Sequence, residues 1–119
     1  TTTIGDVLVW TPAPLEGYGK KQHRQVVDMF KEKHQNEPWV AISTAVNNDK
    51  VSVIVEVSKG LVDQIRADQL IKELAAIIEG RGGGKAERAE AGGGFPDRIP
   101  GLLERGLDRV RLALSGQRV

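Results

Sequence analysis

Residues 38–58 read PWVAISTAVNNDKVSVIVEVS. Val51, Val53, Val55 and Val57 alternate without a break, the period of a strand with one buried face. Residues 38–46 form a second short run rich in apolar and β-branched side chains. Asn47, Asn48 and Asp49 separate the two, and strands joined by a short Asn/Asp loop make a β-hairpin. Ile54 adds a large apolar side chain on the other face of the second strand, which predicts a central place in its sheet.

On the N-terminal side the period changes. His23, Val26, Val27 and Phe30 recur at helical spacing, predicting a helix over roughly 19–34. IGDVLVW at 4–10 reads as one strand, ended by TPAP. On the C-terminal side, Ile65, Leu70, Leu74, Ile77 and Ile78 form one stripe within 61–80. Its main body is expected from about residue 67, with Asp68 as cap and Gly80 as stop. Ile99, Leu103, Leu107, Val110 and Leu114 predict a last helix, with Pro100 in its first turn. The order is strand, helix, strand, strand, helix, glycine segment, helix. It predicts a small α/β fold: a single sheet with a β-hairpin and helices packed on it.

With 119 residues, 39% apolar and 28% charged, the chain suits one soluble domain over 1–119. No apolar run approaches the roughly 18 residues of a membrane span, and the first residues do not read as a signal peptide. There is no cysteine, so thiol nucleophiles, thiolate metal sites and disulfides are absent. The only methionine is Met29, and the first residue is threonine, as expected of a piece of a longer protein. Net charge is +1, so a nucleic-acid role requires a local basic patch.

The glycine segment GRGGGKAERAEAGGG (80–94) holds seven of the 14 glycines. It is not a P-loop, because Gly84-Lys85 has three residues between it and Gly80, and Ala86 follows. A dinucleotide fingerprint fails at Lys85. One reading is a slack linker. Against it, the glycines come as two triplets, 82–84 and 92–94, around good helix formers in KAERAEA. Triplets suit places where backbone passes close to something or takes positive φ. Exposed glycine N–H groups between Arg81 and Lys85 make a candidate anion site.

No catalytic constellation is legible. His23 and His34 are eleven apart, with no further histidine to complete a metal site. No nucleophile motif surrounds Ser43, Ser52, Ser58 or Ser115. Trp10 and Trp39 suit packing better than base stacking. Neither a metal nor a cofactor is expected.

Val57-Ser58-Lys59, Lys72-Glu73-Leu74, Gly82-Gly83-Gly84-Lys85 and Ala89-Glu90-Ala91-Gly92 resemble the motifs of the DHH-associated domain family, in the form found at the C terminus of alanyl-tRNA synthetase. The resemblance covers roughly 39–114. After the triplet and its basic residue the family usually runs Pro-Asp-Met-Ala-Gln, whereas this chain has Ala86-Glu87-Arg88-Ala89-Glu90. RNA contacts at Arg88 and Glu90 are therefore not carried over.

The resemblance implies a non-catalytic, tRNA-binding accessory domain of a cytoplasmic ligase, alanine–tRNA ligase. Such a domain grips the corner where the D- and T-loops meet, links aminoacylation with editing, and carries neither the ATP site nor the editing zinc. Its partners would be alanine-specific tRNA through the parent enzyme and sister domains of the synthetase, with a homodimer in some relatives and no membrane. Gly82, Gly83 and Gly84 would permit close backbone approach, and Arg81, Lys85, Lys59 and Arg66 would contact phosphates. Two other readings stay open: a dimerisation or structural module, and the oligonucleotide-gripping domain of a DHH phosphoesterase.

Overall fold

In the computed structural model, which describes residues 2–115, the predicted hairpin forms the middle of the sheet. Strands β4 (Trp39–Asn47) and β5 (Lys50–Val57) pair antiparallel with Asn47 opposite Lys50. Asn48 and Asp49 form the loop with φ of 52° and 64°. Two successive positive φ values define a I′-type turn, which Asn and Asp tolerate and which matches strand twist.

The predicted strand over 4–10 is instead two strands, β1 (Thr2–Ile4) and β2 (Val7–Trp10), paired antiparallel. Gly5, at φ 62°, turns the chain between them. Gly5-Asp6, which interrupts the apolar letters, forms that turn. β2 then runs parallel to the start of β4, and β3 (Leu15–Glu16) runs parallel to its end. Pro12 and Pro14 lie in the gap between β2 and β3.

The glycine segment is neither linker nor helix. It is a second hairpin, β6 (Arg81–Gly84) and β7 (Arg88–Gly93). β7 pairs antiparallel with β5, so the sheet runs β1-β2-β4-β5-β7-β6 and β5 is interior as predicted. The helix-forming letters of KAERAEA therefore lie in a turn and a strand. Helix propensity differs by only tenths of a kcal/mol per residue, and pairing along β5 overrides it.

Helix α1 (Lys20–Lys33) lies on one face of this sheet, and α2 (Ala67–Ile77) and α3 (Ile99–Ser115) lie on the other. The main core forms under α2 and α3, where Val53 and Val55 meet Leu70, Ile71, Leu74, Ile99 and Leu102. Burying each large aliphatic side chain contributes roughly 2 kcal/mol. Leu102 and Gly106, outside the predicted stripe, are also buried. A Cβ on Gly106 would stand 2.6 Å from Ile42 Cδ1, so glycine sets how closely α3 approaches the sheet. Pro100 sits in the first turn of α3, as expected.

Two helix ends differ from expectation. Arg66 precedes α2 and Asp68 lies within its first turn, where its carboxylate pairs with Arg66 and does not cap the helix. The left-handed residue that stops α2 is Glu79, at φ 50°, and not Gly80. A Cβ on Gly80 would collide with the Gly92 carbonyl, so its glycine serves close passage of two strands.

Candidate nucleic-acid interface

The face under α1 is polar at its centre. His23 is fully buried, with Nδ1 2.8 Å from Ser52 Oγ and Nε2 2.8 Å from Ser43 Oγ. Burial lowers its pKa to about 4 against an opposing pull from Glu90, so the imidazole is neutral at neutral pH. Strand register sets Glu56 opposite Arg88 and Ile54 opposite Glu90. Arg88 binds both the buried Glu56 and Asp28 of α1, and Lys31 of α1 lies 3.4 Å from Glu56. Burial opposes the Arg88 charge, but its bonds to Glu56 and Asp28 prevail and hold its pKa above the ordinary arginine value. Arg24 of α1 places Nε 2.9 Å from both carboxylate oxygens of Glu90. The hydrogen bond to Glu90 raises the Arg24 pKa. Arg88 and Glu90, where the chain departs from the family motif, thus fasten α1 to the sheet.

Beyond the N-terminal end of α1 the packing opens into a cleft of about 580 Å³. Lys20 enters from the first turn of α1, Lys50 from just past the I′ turn, and Arg81 from the start of β6. Tyr18 and Asn48 complete the rim, and Gly92 and Gly93 leave the floor without side chains. Among the described residues, none that lines this cleft is acidic. Among the described residues, Lys20, Lys50 and Arg81 also join no ion pair. A narrower pocket of about 190 Å³ has His23, Ser52 and Glu90 in its walls and shares Lys20 and Arg81 with the cleft. Three uncompensated cations beside an aromatic ring suit a phosphate chain with a stacked base.

The structure divides the seven residues expected at the site. Arg81 lines the cleft. Gly82, Gly83 and Gly84 continue from it along β6, exposed, on a strand at the end of the sheet order. Lys85, roughly 13 Å further along at strand rise, lies in the β6–β7 turn. That turn is tied to the far end of the sheet. The Ala86 carbonyl accepts the Ala67 N–H at 2.8 Å, and the Glu87 carbonyl accepts the Val57 N–H at 2.7 Å. Lys59 and Arg66, two residues past Val57 and one before Ala67, belong to that far end with Lys85. Arg66 is already bound to Asp68 at 2.9 Å.

The triplet is also not uniform. A Cβ on Gly82 or Gly84 would collide with the backbone of β7, whereas one on Gly83 would meet nothing within 4 Å. The close approach expected of the glycines is, at these two positions, an approach to the neighbouring strand. Lys20, Lys50 and Tyr18 escaped sequence reading because nothing local distinguishes them from solvated residues. The histidines separate: His23 is buried, and His34 ends α1 with Nδ1 2.7 Å from Glu37. Trp39 is buried, and Trp10 stacks on Phe30 with ring centroids 4.3 Å apart, in keeping with the packing role expected. No helix among the described residues is long and apolar enough to cross a membrane.

A mixed sheet between one helix and two, edged by a glycine-rich hairpin, is the architecture of a known domain family. The DHHA1 domain profile fits residues 10–111, and the chain belongs to that family. Among its relatives are alanine–tRNA ligases. That of Francisella tularensis subsp. tularensis (strain WY96-3418) is 39% identical over 92 residues, covering 77% of this chain and 10% of the ligase. That of Francisella philomiragia subsp. philomiragia is 38% identical over 81 residues, covering 68% and 9%. The chain therefore spans about a tenth of the length of the curated relatives it matches. The C-Ala domain from Aquifex aeolicus alanyl-tRNA synthetase superposes with a TM-score of 0.73 at 25% identity, covering 96% of each chain. A DHH domain described as belonging to a family of ribosomal proteins shares the fold at TM-score 0.54 and 21% identity, over 84% of this chain and 22% of its own.

Proposed function

We propose that residues 1–119 form the C-terminal tRNA-binding domain of an alanyl-tRNA synthetase, which holds the tRNA elbow and keeps one tRNA in reach of both aminoacylation and editing. The observation that carries this reading is the acid-free cleft of Lys20, Lys50 and Arg81 beside the exposed glycine strand. The elbow of tRNA is a shape of phosphates and stacked loop bases, with no groove that side chains read. Cations gathered from three elements can follow a bent phosphate chain, and exposed Tyr18 supplies a stacking surface. Along β6, Gly83 leaves the backbone open for close approach, and Lys85 extends the positive track past the strand. Net charge is only +1, so binding by the domain alone is weak and salt-sensitive. Attachment to a catalytic body that holds the acceptor stem would raise the effective affinity.

The test is a fluorescence titration of the chain with an alanine tRNA transcript at several salt concentrations, joined to footprinting of the D- and T-loops. The expected result is protection at the loop corner, with Arg81→Ala, Lys20→Ala and Lys50→Ala each lowering the slope of log Kd against log salt by about one. No binding at low salt, or protection confined to the acceptor stem, overturns the reading.

A further inference from the structure

We infer that Arg24 is a positioning residue: by occupying Glu90 it keeps Arg81 available to the ligand of the cleft. The inference rests on the cleft being the RNA-binding surface. Glu90 lies on β7 with its side chain toward α1, and it lines the same narrow pocket as Arg81 and Lys20. Register puts Arg81 opposite Gly92 and Gly83 opposite Glu90, so Arg81 is the diagonal cross-strand neighbour of Glu90. Diagonal neighbours in an antiparallel pair are about 7–8 Å apart, within reach of long side chains. Gly83, directly opposite, has no side chain to intervene.

The carboxylate thus has rival cations, one from α1 above and one from the adjacent strand, with Lys20 close by. Arg24 wins, with Nε 2.9 Å from each oxygen and Nη2 2.8 Å from one. The other charged or titratable neighbours do not compete. Arg88 is bound to Glu56 and Asp28, and His23 is neutral between two serines. Removing Arg24 leaves Glu90 bare beside the free cleft cations. A carboxylate that captures Arg81 competes directly with phosphate for the same guanidinium.

The experiment compares tRNA binding and its salt slope across variants of the chain. The Arg24–Glu90 pair is exposed, so Arg24→Ala should keep its thermal midpoint. Arg24→Ala is expected to weaken binding and lower the slope by about one, matching Arg81→Ala. Adding Glu90→Gln is expected to restore binding, because the amide does not capture arginine. Adding Glu104→Gln, which removes the same charge from α3 on the opposite face, is expected to restore nothing. The Arg24→Ala/Arg81→Ala pair should bind no worse than Arg81→Ala alone, since both remove one contact. Rescue by Glu104→Gln as well as Glu90→Gln, or additive losses in the pair, overturns the inference. So does an Arg24→Ala domain that binds like the parent. If Arg81→Ala itself leaves binding unchanged, it is the cleft reading that fails.

Discussion

His23 and Ser43 meet through a 2.8 Å hydrogen bond between Nε2 and Oγ, with neither residue reached by solvent. Ser52 holds the other ring nitrogen at the same distance. Helix α1 therefore sits on the sheet through a neutral imidazole.

That imidazole makes stability depend on acidity. The unfolded histidine titrates near 6.5 and the folded one at about 4, so between those values the unfolded chain binds more protons. The stabilisation is complete above 6.5 and is lost as pH falls. Urea unfolding at pH 5 is expected to give a stability about 2 kcal/mol below that at pH 7, a difference that His23→Gln reduces. An equal drop in the variant would assign the effect to other groups.

Glu56 carries a carboxylate at 2% exposure. Arg88 is its cross-strand partner, and Lys31 reaches it from α1. Arg88→Ala leaves that charge with only Lys31, an exposed ammonium 3.4 Å away, and is expected to cost about 3 kcal/mol in denaturant unfolding. Arg88→Ala combined with Glu56→Gln should recover part of the loss, because the uncompensated charge is gone.

Two neighbouring glycines should respond oppositely. Gly82→Ala forces a methyl into the β7 backbone and is expected to destabilise the domain by about 1–3 kcal/mol in thermal or urea unfolding. Gly83→Ala meets open space and should leave the unfolding midpoint nearly unchanged. Gly83→Ala would weaken tRNA binding if a sugar-phosphate lies against β6, and unchanged affinity would remove the strand from the contact surface.

The far end of the sheet offers a graded series. Lys85 and Lys59 join no ion pair among the described residues, whereas Arg66 is bound to Asp68. Lys85→Ala is therefore expected to lower tRNA affinity and salt slope more than Arg66→Ala in the same titration. Equal effects, or a larger loss for Arg66→Ala, would place the RNA on the α2 side of the domain.

Much of the fold was legible where the signal was local. The valine alternation at 51–57 identified the interior strand, and the Asn/Asp loop its turn. Helical stripes located all three helices to within a few residues; α2 starts at the expected residue 67 and ends at Ile77, three residues before the expected stop. The strand over 4–10 was misread because Gly5-Asp6 sits inside apolar letters. KAERAEA was misread because its helix propensity is weaker than the ladder that β5 offers. Of the residues singled out beside the triplet, Arg81 lines the cleft, whereas Lys85 lies at the far end of the sheet. Lys20 and Lys50 were not singled out, since only the packing of α1 over the hairpin end brings them to Arg81.

The chain by itself determined its periodicities, its lack of thiol chemistry and the motif of its family, because each depends on residues near one another in sequence. Tertiary structure alone decided that the glycine segment is an edge hairpin, that Arg88 and Glu90 pair with side chains of α1, and that cations from three elements share one cleft. Those outcomes depend on which strand pairs with β5 and which helix covers it. Such pairings form between residues tens of positions apart, and no local pattern encodes them.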